Sequence, residues 1–216
     1  MALRKERIVN RRIAKYAKIF RKAAIHADIP EADGCVAPFA HRLEEMYASE
    51  LFAQHSVYPT INVKHVYAVI AMCLELREHG LTDAQVIDAL DIAFAGRRRV
   101  FTLLLGAIDL LPNCYAIARR WNIGDHEKRL ADGSIDYDLF EVREHSIEYR
   151  ISGCRYVDMF ESWGVRQLCK LFCETDTRSY ANLTRHVEFV RHSDLSDGPS
   201  CHDEIIEKSH RKSDAT

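Results

Sequence analysis

The chain has 216 residues, of which 47% are hydrophobic and 29% charged, and its formal net charge is −2. That balance excludes wholesale disorder and supplies no positive excess to neutralise a phosphate backbone, so nucleic-acid binding is not expected. The length suits one compact domain, or one built from two subdomains, with enough chain to bury a core without staples.

The first stretch, from about Leu3 to Ala27, places Ile8, Ile13, Tyr16, Ile19, Phe20 and Ala24 at helical spacing, against a polar face made nearly all of Lys and Arg. Such a face either meets an anionic lipid surface or is the solvated side of a docked helix. Pro30 and Asp33-Gly34 end the pattern. A second helix is predicted from Ala37 to Gln54, and a third from Asn62, its cap, to His79, with Gly80 as its stop. Thr82-Asp83-Ala84-Gln85 reads as a capping box that opens a helix to Ala95, followed by Gly96.

The run VFTLLLGAIDLLPNCYAIA, Val100 to Ala118, approaches membrane-span length. Asp109 at its centre and Pro112 after it point instead to a buried helix, or two helices broken near Pro112, reaching Trp121. The pattern then changes at Asp132-Gly133. Tyr137–Val142 and Ser146–Ile151 alternate β-branched and aromatic residues around a turn at Arg143-Glu144-His145. Further strands fit His186 to Arg191 and Glu204 to Ile206. The predicted class is α+β: an N-terminal helical bundle followed by a small antiparallel sheet with packed helices. The expected organisation is a helical subdomain over 1–131, an α+β subdomain over 132–207 and a frayed tail over 208–216.

Seven cysteines, an odd number, follow a start that lacks an apolar leader region. Free thiols in a reducing cytoplasm are the simplest expectation, with no structural disulfide. Cys169 and Cys173 share a helix face, and Asp176 lies three residues further on. Three readings of this half compete. Cys173 or Cys154 is a nucleophile with Asp176 as base, which needs a lowered thiol pKa. Alternatively the cysteines bind zinc with His202, although the spacing matches no standard knuckle. In the third reading they are packed core.

Three stretches, YRISGCRYVDMFESWG, CETD and VEFVRHSDLSDGPSCHD, together resemble the L-2-amino-thiazoline-4-carboxylic acid hydrolase family over roughly residues 148–207. The resemblance implicates Cys154, Tyr156, Glu161, Gly164, Cys173, Asp176, Arg191, Gly198 and Cys201. Arg155 stands where the pattern expects proline, and His202 where it expects an acid, with Asp203 one position late. The resemblance implies hydrolysis of a small ring whose amidine-like carbon sits between nitrogen and sulfur, next to a carboxylate. Catalysis would fall to Cys173, Asp176 and Cys154. Substrate contacts would fall to Arg191, Tyr156, Cys201, His202 and Glu161, with Arg191, or else Arg150 or Arg155, gripping the carboxylate and His202 or His192 carrying a proton. No cofactor or metal is implied. The implied partner is a small-molecule carboxylate, with no integral membrane span and homo-oligomerisation left open. The alternative is a non-catalytic module that uses the same thiols for a ligand or zinc.

Overall fold

The computed structural model describes residues 2–208. The expected tail from 209 onward lies outside the described residues, as do the side chains of residues 2–10, which carry part of the basic face read from the sequence. The chain forms two compact units: one takes the chain up to Arg97 together with Ser162–Val165, the other takes Arg98–Glu161 and the chain from Arg166 onward.

The first unit is helical. Helices α1 (Ala2–His26), α2 (Val36–Ala48) and α3 (Glu50–His55) surround α4 (Val63–Glu78). Helix α4 buries nearly its whole circumference, from Val66 through Cys73 and on to Leu76, as expected of a helix that is apolar on every side. Its one buried acid, Glu75, is 3% exposed and paired with Arg42 at 3.0 Å. The helix expected over 37–54 is two helices. Ser49 both ends α2, donating to Met46 O at 2.7 Å, and caps α3, accepting from Phe52 N at 3.1 Å. A serine hydroxyl competes with the backbone ladder in this way. The capping box at Thr82 forms as predicted: Thr82 N donates to Gln85 Oε1 at 2.9 Å and Gln85 N to Thr82 Oγ1 at 3.4 Å.

Helix α5 (Asp83–Asp109) runs straight through Gly96, where an end was expected. A helical glycine costs about 1 kcal/mol relative to alanine, too little to end a helix flanked by good helix formers. The apolar run is not simply buried: Leu105 is 2% exposed, but Leu103 and Leu104 are 69% and 57% exposed. The chain does break around Pro112. Asp109, buried, accepts Arg185 N at 3.1 Å, which explains an acid amid leucines. Among the described residues no helix is long and apolar enough to cross a membrane.

Helix α6 (Cys114–Asp132) continues past Trp121 to Gly133, which takes φ +67° and closes the helix with Ser134 N bonded to Arg129 O at 3.1 Å. Strands β1 (Ile135–Val142), β2 (Ser146–Cys154), β3 (Val187–Ser193) and β4 (Cys201–Glu207) then form one antiparallel sheet in the order β1-β2-β4-β3. The fold is α+β, with helices preceding the sheet, as the pattern predicted. Between β2 and β3 lie α7 (Arg155–Ser162), a single 3-10 turn and α8 (Cys169–Tyr180). Ile147, Val187 and Ile205 pack with Leu105, Cys114 and Ala118 in the core of this unit. Strand β4, expected only over 204–206, extends back to Cys201. Its odd residues Cys201, Asp203 and Ile205 are buried, while His202 and Glu204 alternate onto the outer face.

Candidate active site

The second unit forms a solvent-open cavity of about 310 Å³ between α6, the inner face of the sheet, α7 and α8. It takes in Cys154, Tyr156, Cys173, Asp176, Arg191 and Cys201 from the sequence-derived set. His202 and Glu161 are not brought there. His202 lies on the outer face of β4, bonded to Glu148 at 3.1 Å, and Glu161 is an exposed partner of Arg166. All seven cysteines are free thiols.

One polar cluster centres on Arg191. Strands β3 and β4 place Arg191 opposite Asp203, and the guanidinium grips that carboxylate twice, Nε to Oδ1 and Nη2 to Oδ2, both at 2.8 Å. Asp203 is buried, so the paired fork is what allows an acid in the sheet interior. The Cys201 thiol donates to Asp203 Oδ2 at 3.2 Å. The remaining terminal nitrogen of Arg191 donates to Cys173 O at 2.6 Å, tying the strand to α8. Asp203, late by one residue in the family pattern, thus shares a face with Cys201 and lines the cavity.

Asp176 approaches the same guanidinium at 3.7 Å. The surrounding walls push its carboxyl up to about 6; Arg191 opposes that shift and Asp203 adds to it. Its side chain is nevertheless 61% exposed. Water in the cavity therefore moderates the shift, and a ligand that expels this water strengthens it.

The second cluster lies where β2 ends. Cys154 is the last strand residue and α7 starts at Arg155, so the thiol sits at a helix N-terminus, held by the backbone N–H groups of Tyr156 and Val157. Burial raises its pKa, while those two donors and the Arg129 charge pull it down. Arg129 donates through Nε to Asp125 Oδ2 at 2.5 Å and also bonds the Tyr156 hydroxyl. Arg155, at the position where the family pattern expects proline, locks this corner: its Nε donates to Gly133 O at 3.1 Å and its other nitrogens to Asp158 and Asp136 at 3.0 Å. Neither Arg155 nor Arg150, which is exposed on β2, is among the residues that line the cavity.

The other cavity thiols have less thiolate support. Burial pushes Cys173 up to about 12, with Asp194 adding to the shift and Arg191 opposing it. Cys169 is pushed up to about 12 by burial and the neighbouring Cys173. Burial and Asp203 raise Cys201 as well.

Residue-by-residue reading missed a whole wall. Asn122, Asp125, His126 and Arg129 line the cavity from α6. Their spacing of three and four is one helical face, a signal present in the sequence but indistinguishable there from a solvated stripe. His126 stacks on Phe140 at 3.6 Å, its buried Nδ1 has no hydrogen-bond partner among the described residues, and burial lowers its pKa.

Fold and cavity together present a pocket of mixed charge, with thiols and carboxylates on a helix-backed antiparallel sheet. Residues 63–203 match the L-2-amino-thiazoline-4-carboxylic acid hydrolase family, and the chain belongs to that family. The match begins at α4, far upstream of the stretch in which the resemblance was legible. No curated protein and no solved structure gives a match.

Proposed function

We propose that this chain hydrolyses a small cyclic amidine or thiazoline-type carboxylic acid in the cavity of its second unit, opening the ring. The observation that carries this reading is that Cys154, at a helix N-terminus, and Asp176, a carboxyl poised near neutrality, line one cavity that also holds two arginines. An amidinium ring bearing a carboxylate is itself of mixed charge, and the cavity offers acids and cations in separate clusters. Asp176 suits the amidinium. Arg191 has Nε and both terminal nitrogens engaged by Asp203 and Cys173 O, whereas Arg129 meets Asp125 through Nε, so Arg129, with Tyr156 beside it, suits the carboxylate, while Arg191 fixes Asp203 and Cys173.

In this reading Cys154 is the nucleophile. A thiol needs its thiolate, and of the cavity cysteines Cys154 has backbone donors and a cation working in that direction. The Cys154 sulfur bonds to the amidine carbon as its proton passes to Asp176, which is ionised at neutral pH. Asp176 hands that proton to the ring sulfur as the ring carbon–sulfur bond breaks, and, ionised again, takes a proton from the water that attacks the same carbon and frees the Cys154 thiol with the ring-opened product. Cys173 and Cys201 shape the wall. The zinc-module alternative is less well supported, because His202, which it would require, stands on the face of β4 opposite Cys201.

The test is turnover. Purified protein should convert L-2-amino-thiazoline-4-carboxylic acid, or a related cyclic amidine acid, to a product heavier by one water. Iodoacetamide should stop the reaction, and substrate should protect against it. No ring opening across a panel of cyclic amidine acids would sink the proposal.

A further inference from the structure

The outer face of the same strands carries a second chemical cluster. His192 on β3 and His202 and Glu204 on β4 each offer a donor atom, and these atoms all lie within 4.8 Å of one another. The two imidazole rings stand 4.5 Å apart, tilted by 33°. His192 Nε2 is 3.5 Å from Glu204 Oε1. Tetrahedral zinc with bonds near 2.0–2.1 Å separates its ligand atoms by about 3.3 Å, so this pair already has close to metal-bound spacing. The other donor atoms, all within 4.8 Å, reach that spacing by side-chain rotations that move them by up to about 1.5 Å.

We propose that His192, His202 and Glu204 bind a divalent transition-metal ion of the zinc type on the outer face of β3 and β4. Two imidazoles and one carboxylate are a borderline nitrogen–oxygen donor set, suited to zinc, nickel or copper and poorly suited to calcium or magnesium. Three protein ligands leave a fourth position for water or a further group. Glu148 on β2 bonds His202 at 3.1 Å and orients its ring, the arrangement in which an outer carboxylate fixes a metal-ligating histidine. The charges that oppose binding are Arg150, opposite His202 across β2 and β4, and Arg143, which bonds Glu148 at 3.1 Å. The acids Glu148 and Glu204 balance them. All three ligands are partly exposed, so an ion reaches them without the strands opening.

The strand positions give the site a structural consequence. The β3–β4 register is irregular between Arg191 and Ser193, the segment that contains His192. A metal bridging His192 to His202 and Glu204 would staple the strands across that irregularity. Directly behind it, on the inner face, Arg191 and Asp203 line the cavity. The inference is independent of the proposed hydrolysis, since no ligand of this site lies in that cavity.

The full-length, tag-free protein should be stripped with chelator and titrated calorimetrically with zinc chloride. One zinc should bind per chain and raise the thermal midpoint. His192→Ala and His202→Ala, both surface changes, should fold normally by circular dichroism and each lose that binding. A Cys154→Ser/Cys173→Ser variant should retain it, and cobalt in place of zinc should show ligand-field bands without sulfur charge transfer. Absence of zinc binding, binding unaffected by both histidine changes, or binding lost with the thiols would each overturn the proposal.

Discussion

The start of α7 and the middle of α8 both present a cysteine to one cavity, and burial raises both thiols, yet the groups that oppose the rise differ: backbone donors with Arg129 at Cys154, Arg191 alone against nearby acids at Cys173. Cys154 ends a strand at a helix N-terminus, where two backbone N–H groups and Arg129 favour a thiolate. Cys173 sits mid-helix beside Asp176 and near Asp194, and its thiol is pushed up to about 12. Residue type is the same in both places, and the proposed division of roles between them rests on backbone position. A cysteine at the first turn of a helix meets donors that have no intrahelical partner, whereas one in the middle meets a satisfied backbone.

The largest effect that would test this contrast is on turnover. Cys154→Ser should lower the rate by about 10⁴-fold or more, because a hydroxyl is a far weaker nucleophile at neutral pH. Cys173→Ser should stay within about tenfold of wild type, reflecting adjusted packing rather than lost chemistry. Single-turnover rates with the two folded variants give the comparison. The reverse ranking would transfer the nucleophile to α8. Next in size, Asp176→Asn should lose about 10²–10⁴-fold in kcat, the usual range for removing a general base, with a smaller change in KM.

The two arginine–carboxylate pairs differ in the same way as the thiols. Arg191–Asp203 is sealed, with side chains 14% and 1% exposed, whereas Arg129–Asp125 is 20% and 44% exposed. Asp203→Ala strands a buried guanidinium and should destabilise the protein by about 3–5 kcal/mol. Asp125→Ala leaves a partner that water can reach and should cost about 1 kcal/mol or less. Urea unfolding measures both, and equal losses would show that the two pairs are not distinguished by burial.

Part of this was legible in the sequence. The change from helical to alternating pattern at Gly133 gave the α+β class, and the capping box at Thr82 formed as written. Helix ends were harder. Gly96 carries a real but small helix penalty, while Ser49 carries a hydroxyl that captures two backbone groups, and only packing decides which position breaks. Cys154, Tyr156, Cys173, Asp176, Arg191 and Cys201, which line the cavity, could be picked out because the family resemblance implicated them. Arg129 and His126 could not, since a polar helical stripe has the same pattern whether it faces water or a cavity. The positions of His202 and Asp203 depended on strand register, and a shift of one residue exchanges the two faces.

The smallest effect is the pH profile, and it bears most directly on the base. In the proposed reaction Asp176 works ionised, and burial pushes its carboxyl up to about 6. Activity should therefore rise as pH increases through about 6 and level off above it. The groups that face it are Arg191, Asp203, Arg129 and Asp125, with Cys173, Tyr149 and Tyr180 close by. Burial raises the pKa of all three uncharged neighbours, so they stay neutral across this range. Stability follows the opposite sign. The folded chain holds this proton more tightly than an ordinary aspartate near 3.8, so the contribution is complete below that value and is lost as pH rises through about 6. Asp176→Asn should flatten both curves. His126, also lining the cavity and lowered by burial, is the competing group. An acid limb near pH 6 that survives in Asp176→Asn would belong to His126, and the assignment of Asp176 as base would fail.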